Sequence, residues 1–411
     1  MNINEKTWKF VREHADEDVR KVALQGTKDP EVDLQMALQQ IAGRQTARKK
    51  LLSWATQEGI VYPPHLNMEQ CSSEQTARYK ATIAGEGDSM ADLTGGFGID
   101  FYWMSKDFEK RCYVEQNETL CEIAENNFRV LGLSCSVCCG SAATYLSQMP
   151  HANLIYMDPA RRNEHGGRTY GIGDCTPNVL ELMPQLLEKA DRVMLKLSPM
   201  LDWRKAVDDI QKRNANVSEV HIVSVDNECK ELLLVLGKKP ADSLRVVCVN
   251  GESRFEFIPK VEMNCSQAAN VLFPRWDYSS DYDLSDSPLY LYEPNVSIMK
   301  AGCFAEVEER FKVQQIAVNS HLFLSPVEIG DFPGRKFQIL AISSMNKQEI
   351  KKKFRENLVP MESANIAVRN FPMSVDQLRK KLKLKDGGDT YIFATTWASG
   401  EHKLLICRKI G

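Results

Sequence analysis

The sequence predicts an α/β protein with a seven-stranded sheet, an N-terminal helical domain and small C-terminal α+β domains. Between residues 88 and 240, short apolar runs alternate with helical segments, which is typical of a parallel sheet with helices on both faces. Only the short link 226–230 separates the last two apolar runs. Because parallel neighbours need a crossover of about a dozen residues or more, these two runs should form an antiparallel hairpin.

Each strand and helix of this region can be placed on the sequence. The predicted strands are 89–93, 111–114, 135–138, 154–157, 192–197, 220–225 and 232–236. The predicted helices between them are 100–108, 118–131, 141–149, 177–190 and 203–213. Together these elements define a predicted sheet domain over residues 81–240.

The N-terminal segment, residues 1–80, is predicted to be a helical domain. Its apolar residues recur three and four positions apart, which indicates amphipathic helices. Pro63 and Pro64 interrupt this pattern. Ser72 is the predicted N-cap of the last helix, with Gln75 as its capping-box partner.

Two smaller units are predicted after residue 240. Residues 241–335 should form a small α+β segment in which Pro294 begins a helix. Residues 336–411 should form a further small domain that ends in a hairpin after the turn at Gly387-Gly388. Its predicted strands are 337–342, 364–368, 391–396 and 403–409, and its predicted helices are 347–357 and 375–384.

The composition limits the class of protein. Of the 411 residues, 43% are hydrophobic and 26% are charged, so extensive disorder is not expected. The sequence has no apolar run near the roughly 18 residues of a membrane span and no secretory signal, so a cytoplasmic protein is predicted. Twelve cysteines without zinc-ligand spacing predict reduced interior thiols and no metal site.

A glycine-rich turn follows the first predicted strand and begins a helix. The run Asp92-Leu93-Thr94-Gly95-Gly96-Phe97-Gly98-Ile99-Asp100 allows a tight turn and close approach to a ligand. The helix start behind it presents unpaired N–H groups. Its spacing is not G-x-G-x-x-G, so a dinucleotide is disfavoured. The spacing fits a loop for S-adenosylmethionine, in which Asp92 accepts from the ammonium and backbone N–H groups bind the carboxylate.

The second predicted strand ends in an acidic residue. Glu115 lies 23 residues after Asp92. A carboxylate at this strand end is placed to accept hydrogen bonds from both ribose hydroxyls of a nucleoside cofactor. A glycine loop and a Glu in the same βαβ unit therefore predict a nucleoside site more strongly than either feature alone.

The fourth predicted strand ends in the run Asp158-Pro159-Ala160-Arg161-Arg162. The carboxyl end of such a strand opens onto the crevice in which ligands of open α/β sheets bind. Asp158 can accept a hydrogen bond from a substrate N–H or act as a general base, and Pro159 stiffens the loop. The two arginines can bind phosphate or a base edge with paired hydrogen bonds.

These residues resemble the class I S-adenosylmethionine-dependent methyltransferases, a Rossmann-like family, over roughly residues 70–240. The chain is also similar to bacterial proteins in which that domain precedes a ferredoxin-like segment and a THUMP-like domain, through the runs 69–74, 76–80, 158–162 and 292–295. The resemblance implies S-adenosylmethionine as cofactor and structured RNA, tRNA or rRNA, as substrate. The cofactor-binding residues that it implies are Asp92, Thr94, Gly95, Gly96, Phe97, Gly98, Asp100, Glu115, Gln116, Ser141 and Ala142. The implied catalytic residues are Asp158, Pro159 and Arg161.

The chain departs from the family pattern within the cofactor site. Thr94 stands where a first glycine is common. The run Cys139-Gly140-Ser141 stands where an Asp often contacts the adenine amine. Either the Ser141 side chain or the backbone N–H groups of Ser141 and Ala142 would then take that role.

A second departure concerns the acceptor loop. Ala160 and Arg161 replace the Pro and the aromatic residue that are typical of exocyclic-amine methyltransferases. Base stacking would then depend on Tyr156 or Tyr170. A uracil C5 mechanism would need Cys175 as its nucleophile.

The charge is unevenly distributed along the chain. The net charge is −3 overall, but residues 341–411 carry 14 Lys and Arg against 7 Asp and Glu, which leaves +7 there and −10 over residues 1–340. Cationic helices suit sequence-independent contact with phosphates, so this end predicts RNA as a partner. The basic residues on or near the two predicted helices are Lys351, Lys352, Lys353, Arg355, Arg379, Lys380 and Lys381.

Other functions stay open on the sequence alone. One is a non-catalytic RNA-binding or assembly protein that retains a methyltransferase fold. Another is a methyltransferase for a small molecule or a protein. A nicotinamide oxidoreductase is disfavoured, because the glycine spacing and the terminal hairpin both disagree with it.

Overall fold

The computed structural model describes residues 3–161, 171–260, 284, 288–357 and 362–411. The chain folds into two compact units. The first contains Met1–Val223 and Lys230–Leu244, and the second contains Ser224–Cys229 and Arg245–Gly411. Within the described ranges, no helix is long and apolar enough to cross a membrane.

Helices form the start of the first unit, as predicted. They are α1 (Glu5–Glu13), α2 (Val19–Gln25), α3 (Leu34–Lys50), α4 (Leu52–Ala55), α5 (His65–Gln70) and α6 (Glu74–Ala84). The predicted cap of α6 is wrong by one residue. Ser73 is the N-cap, and its hydroxyl accepts from the Thr76 N–H at 3.2 Å. The preceding Ser72 is buried and donates to Asp100 instead.

The seven predicted strands are all present in the sheet of the first unit. They are β1 (Gly87–Asp92), β2 (Phe108–Glu115), β3 (Ser136–Cys139), β4 (Ala152–Met157), β7 (Ala190–Leu197), β8 (Asn216–Val225) and β9 (Glu228–Gly237). Two short strands, β5 (Ala160–Arg161) and β6 (Cys175–Thr176), pair with each other outside this sheet.

These seven strands lie side by side in the order β3-β2-β1-β4-β7-β9-β8. The strands from β3 to β7 in this order run parallel, whereas β9 runs antiparallel to β7 with Val193 opposite Leu236. A two-residue turn joins β8 to β9, as expected for a hairpin, and both of its residues, Asp226 and Asn227, have positive φ. The carboxyl ends of β1, β2, β4 and β7 therefore meet at one edge of the sheet.

Helices connect these strands. They are α7 (Ile99–Met104), α8 (Glu118–Val130), α9 (Ala142–Gln148), α10 (Val179–Lys189) and α11 (Trp203–Gln211). Helix α8 shows how the sequence directs the packing, because its buried residues Leu120, Ile123, Ala124 and Phe128 recur at helical spacing and face β2 and β3. Trp54 of α4 belongs to the same apolar cluster, so the N-terminal helices share a core with this end of the sheet.

The second unit has a sheet of its own, with the strand order β13-β14-β12-β15-β18-β17-β16. An antiparallel pair, β10 (Arg245–Asn250) and β11 (Ser253–Phe257), precedes this sheet in the chain. The elements that follow are β12 (Leu289–Pro294), α12 (Val296–Ala301), α13 (Phe304–Phe311), β13 (Gln314–Gln315), β14 (Phe323–Ser325), β15 (Gly334–Ser343), α14 (Lys347–Glu356), β16 (Asn365–Arg369), α15 (Val375–Leu382), β17 (Thr390–Thr396) and β18 (His402–Ile410). The predicted hairpin of the last two strands is confirmed, with Phe393 opposite Leu405.

One predicted boundary in this unit is wrong. Pro294 ends β12 rather than beginning a helix. Asn295 is the N-cap of α12, and its side chain accepts from the Ile298 N–H at 3.3 Å. An Asn side chain can satisfy an unpaired N–H of the first turn, which a proline side chain cannot do.

Candidate functional site

Four polar residues lie at the ends of neighbouring parallel strands. Asp92 ends β1, Glu115 ends β2, Asp158 directly follows β4, and Lys196 is the penultimate residue of β7. The register places Asp92 beside Tyr113 and Tyr156, and Met157 beside Leu195. These residues therefore share the edge at which open α/β sheets bind ligands.

The glycine loop lies between β1 and α7, and two of its glycines have no room for a side chain. A Cβ at Gly95 would lie 2.1 Å from the Tyr113 ring, and a Cβ at Gly98 would lie 2.7 Å from Phe128. Gly98 also has a φ of +84°, which disfavours any other residue. The loop thus follows a path that only this glycine pattern permits.

Glu115 joins the second strand to the loop. One carboxylate oxygen accepts from the Gly96 N–H and the other from the Asn117 N–H, each at 2.9 Å. A carboxylate has about four acceptor sites, so two hydrogen bonds leave capacity for the hydroxyls of a ligand. The half-buried side chain is therefore fixed in orientation and still able to accept.

Asp92 is buried at the end of β1 and accepts a hydrogen bond from the Thr94 N–H at 2.9 Å. Burial raises the pKa of Asp92 well above its ordinary value, and the nearby charges of Asp100, Asp158 and Glu115 raise it further. A buried acid among other acids is a favourable place for a cation.

Thr94 links the loop to the acceptor side of the edge. Its hydroxyl oxygen accepts from the Asp158 N–H at 2.6 Å. Glycine at this position would have no hydroxyl to make this bond. The departure from the family pattern at Thr94 thus has a structural role, which is to hold the backbone of Asp158.

Lys196 was not identified from the sequence. Its Nζ lies 2.5 Å from Asp158 Oδ2 and 3.6 Å from Asp100 Oδ2. Burial alone would lower the pKa of Lys196, but the carboxylates of Asp158, Asp100 and Glu231 raise it above its ordinary value. The available signal was a Lys within the apolar carboxyl-terminal half of β7, residues 193–197, where a charge needs a partner.

Asp100 is placed in a buried polar cluster rather than in the loop. Its Oδ2 accepts from the hydroxyls of Ser72 and Tyr156, each at 2.8 Å. Its Oδ1 lies 3.2 Å from Lys80 Nζ, without the geometry of a hydrogen bond. Burial would raise the pKa of Asp100, but Lys80, Lys196 and the two hydroxyls lower it below its ordinary value. This carboxylate is thus ionised and largely buried.

Several other predicted cofactor residues have local structural roles. Phe97 is buried, with its ring 5.2 Å from that of Trp54. Ser141 is the N-cap of α9 and accepts from the Thr144 N–H at 3.2 Å. Ala142 is buried and Gln116 is exposed. The Ser141 hydroxyl is thus shared with the first turn of α9, and contact with a ligand through it or through the backbone N–H groups stays a prediction.

The acceptor loop is described only in part. Pro159 is buried, and the backbone of Arg161 pairs with Cys175 in the short sheet of β5 and β6. The Arg161 side chain, Arg162 and Tyr170 lie outside what the structure describes. Cys175 is itself buried, at 3% exposure.

Tyr156 cannot stack on a target base as expected. Its side chain is only 1% exposed, and its hydroxyl donates to Asp100. Strand β4 lies in the middle of the parallel part of the sheet, and a large side chain on such a strand is covered whichever face it points to. Tyr156 therefore supports the buried cluster rather than the substrate.

The basic residues of the second unit lie on the outer faces of two amphipathic helices. Ile350 and Phe354 of α14 and Leu378 and Leu382 of α15 are buried in one apolar cluster. Arg379 is half-buried and bonded to Asp386 at 2.6 Å, so it is partly neutralised. The exposed basic residues are Lys351, Lys352, Arg355, Lys380 and Lys381, and Lys353 is half-buried.

Comparisons with known proteins assign the family. A ferredoxin-like domain model matches residues 290–333, and a THUMP domain-like model matches residues 334–409. The crystal structure of a provisionally named methyltransferase from Porphyromonas gingivalis W83 is 30% identical, covers 100% of both chains and has a TM-score of 0.83. This chain belongs to the same family. The family combines a class I methyltransferase fold with a C-terminal THUMP-like domain, as the sequence resemblance implied.

Weaker similarities to other methyltransferase structures were also found. One is TrmK of M. capricolum with S-adenosylhomocysteine, at 10% identity and a TM-score of 0.32 over 40% of this chain and 68% of that one. Another is a class I S-adenosylmethionine-dependent methyltransferase structure from Listeria monocytogenes, at 10% identity and a TM-score of 0.38 over 60% and 94%. No curated protein sequence matches this member of the family.

Proposed function

We propose that this chain transfers a methyl group from S-adenosylmethionine to a base in structured RNA. The observation that carries the proposal is the common sheet edge of Asp92, Glu115 and Asp158 beside a glycine loop that admits no side chain at Gly95 or Gly98. Family membership supports the methyltransferase part. The basic helices of the THUMP-like domain support the RNA part.

The chemistry of the loop fits this cofactor. A buried, acid-surrounded carboxyl at Asp92 suits the ammonium of the cofactor's amino-acid part. Glu115 is held by two backbone N–H groups and keeps acceptor capacity for the two ribose hydroxyls. The acid-rich edge also favours a ligand with a sulfonium charge over its product, whose thioether sulfur is neutral.

The residues of the chain would align the acceptor. Bound S-adenosylmethionine supplies a sulfonium methyl group, which the acceptor lone pair takes as the carbon–sulfur bond breaks and its electrons stay on sulfur. Asp158 accepts a hydrogen bond from the acceptor N–H and is the group placed to receive its proton. Its backbone is fixed by Thr94 and its carboxylate by Lys196. Alignment of this kind supplies most of what a direct displacement needs.

The RNA part rests on charge and exposure. Residues 341–411 carry a net charge of +7, and the lysines of α14 and α15 face away from the apolar cluster that packs the helices. Exposed cations on a helical face release counterions when they contact phosphates. A base inside a helix would have to be unpaired or flipped out to reach Asp158.

One observation favours the non-catalytic alternative. In 152–161, the only aromatic side chain is Tyr156, which is buried and engaged with Asp100. A base would therefore need a stacking partner from elsewhere. An RNA-binding protein that retains the fold without transferring methyl groups would have no such need.

Two measurements separate these functions. Calorimetric titration of S-adenosylmethionine into the full chain should give one binding site, and no binding would exclude the enzyme. Nucleoside mass spectrometry of total RNA from cells with and without the gene should then show one methylated nucleoside that depends on the gene. Binding without any gene-dependent nucleoside would favour a substrate other than RNA.

A further inference from the structure

Five ionisable side chains of the first unit form a row of alternating charge that ends at Asp158. The row runs Glu231, Lys80, Asp100, Lys196 and Asp158. Lys80 Nζ lies 2.6 Å from both oxygens of Glu231, and Lys196 Nζ lies 2.5 Å from Asp158 Oδ2. The row starts in the interior and reaches the surface only at its last member, since the side chain of Asp158 is 37% exposed.

We propose that Lys196 is a positioning residue for methyl transfer, which acts by holding the carboxylate of Asp158 in one orientation. This inference rests on the proposed function. Lys196 occupies Asp158 Oδ2, and the carboxylate retains further acceptor sites for the N–H of a substrate. Lys196 is 12% exposed and does not need to touch the substrate for this role.

The row gives Lys196 a fixed position. Its ammonium lies between two carboxylates, Asp158 and Asp100. Asp100 is in turn held by Ser72, Tyr156 and Lys80. A supporting shell that is bonded throughout is what keeps a reacting group within a fraction of an ångström of its working position.

Electrostatics point to the same role. Lys196 forms an ion pair with Asp158 at an edge that also carries the carboxyl groups of Asp92, Asp100 and Glu115. Without Lys196, the Asp158 carboxylate would lose the contact that fixes its orientation. The Thr94 hydroxyl would still hold its backbone but not its carboxylate. A displacement of about 1 Å can cost about 100-fold in rate, so the loss of this contact should appear in kcat.

The kinetic test compares Lys196→Met with Lys196→Arg and with the control Lys212→Met. Lys212 is an exposed lysine that pairs with Asp208. Single-turnover methyl transfer at saturating S-adenosylmethionine should fall about tenfold or more in Lys196→Met, while the cofactor Kd stays within about threefold. Lys196→Arg should recover most of the rate, and Lys212→Met should match the wild type. An unchanged rate in Lys196→Met would overturn the inference.

A double variant shows whether Lys196 acts through Asp158. Lys196→Met combined with Asp158→Asn should be no slower than Asp158→Asn alone, because the group that Lys196 positions is already lost. Losses that multiply would show an independent role and contradict the proposal. Asp158→Asn also removes the carboxylate charge that Lys196 pairs with, so the double variant should fold at least as well as Lys196→Met.

Thermal unfolding tests the ion pair without any enzymatic activity. The four proteins compared are the wild type, Lys196→Met, Asp158→Asn and the double variant. The two single substitutions should lower the melting temperature by amounts that do not add in the double variant. Additive shifts would show that the pair does not form, whatever the chain catalyses. If the shifts are coupled but the wild-type chain methylates nothing, the ion pair forms, and both the proposed function and the positioning role are contradicted.

Discussion

The hydroxyl of Thr94 accepts a 2.6 Å hydrogen bond from the backbone N–H of Asp158. This contact joins the glycine loop after β1 to the acceptor loop after β4. It couples the part of the edge that suits a cofactor to the part that suits a substrate. The geometry of one loop therefore limits the geometry of the other.

Removal of this hydroxyl should affect transfer more than binding. In Thr94→Val the side chain keeps its shape but leaves the Asp158 N–H without its acceptor, a loss that typically costs about 1–3 kcal/mol. We expect methyl transfer to fall about tenfold or more, with little change in the calorimetric Kd for S-adenosylmethionine. Thr94→Ser keeps the hydroxyl and should behave as wild type. A loss in Thr94→Ser as large as in Thr94→Val would show that the hydroxyl hydrogen bond does not account for the effect.

A side chain at Gly95 should destroy the loop. The Cβ of Gly95→Ala would lie 2.1 Å from the buried Tyr113 ring, and such overpacking typically costs about 1–3 kcal/mol. We expect a lower midpoint of urea unfolding and no measurable cofactor binding. The matched control is Gly330→Ala in the second unit, because its Cβ would meet nothing within 4 Å. Retained cofactor affinity in Gly95→Ala would show that the loop does not form the site.

Loss of the Glu115 charge should weaken cofactor binding. In Glu115→Gln the amide would replace one oxygen that now accepts from the Gly96 or Asn117 N–H. Hydrogen bonds to charged groups are worth about 1.5–3 kcal/mol, so the Kd should rise about tenfold or more. The control Glu118→Gln changes an exposed residue at the start of α8. A Kd that is equal in both variants would remove Glu115 from the site.

Cofactor binding should release a proton from Asp92. Burial raises the pKa of Asp92, so the folded chain holds this proton more tightly than the unfolded chain does. This group therefore lowers folding stability as the pH rises from its ordinary pKa of about 4 toward the raised value. An ammonium beside Asp92 favours the ionised form, so binding should displace the proton and the affinity should rise with pH.

The released proton can be counted by calorimetry. Titrations at one pH in two buffers with different ionisation enthalpies should give different binding heats for the wild type. The difference should disappear in Asp92→Asn and persist in the control Asp88→Asn, which changes an exposed residue of β1. Identical heats in both buffers for the wild type would contradict the expected role of Asp92.

The basic helices should bind RNA independently of the cofactor. Lys351, Lys352 and Lys381 are exposed on α14 and α15. Their joint replacement by Glu should weaken RNA binding and reduce the slope of log K against log salt by about three, with no change in cofactor Kd. A control triple of exposed lysines in the first unit, Lys9, Lys21 and Lys49, should leave RNA affinity nearly unchanged. Equal losses in both triples would indicate non-specific charge effects.

Local patterns predicted the sheet well, because parallel strands and their helices follow short-range hydrophobic periodicity. All seven strands and the antiparallel hairpin between 216 and 237 were anticipated in this way. The strand ends that carry Asp92, Glu115 and Asp158 followed directly from that topology. Their binding and catalytic roles, like the division of the chain into four domains, stay predictions.

Long-range side-chain contacts were out of reach of such patterns. Lys80 and Glu231 are 151 positions apart and meet only because α6 and β9 pack near the same edge. Ser72 looked like a helix cap, but Ser73 takes that role and leaves Ser72 for Asp100. Phe97 looked like part of the cofactor loop, but its ring packs in the core with Trp54. These outcomes depend on tertiary packing, which a single sequence does not encode locally.

The most direct measurement compares the wild type with Asp158→Asn in transfer of labelled methyl groups from S-adenosylmethionine to total RNA from cells that lack the gene. We predict that both proteins bind S-adenosylmethionine with similar Kd and that only the wild type labels RNA efficiently. Equal labelling by the two proteins, or no labelling by a wild type that binds the cofactor, would contradict RNA methylation at this edge of the sheet.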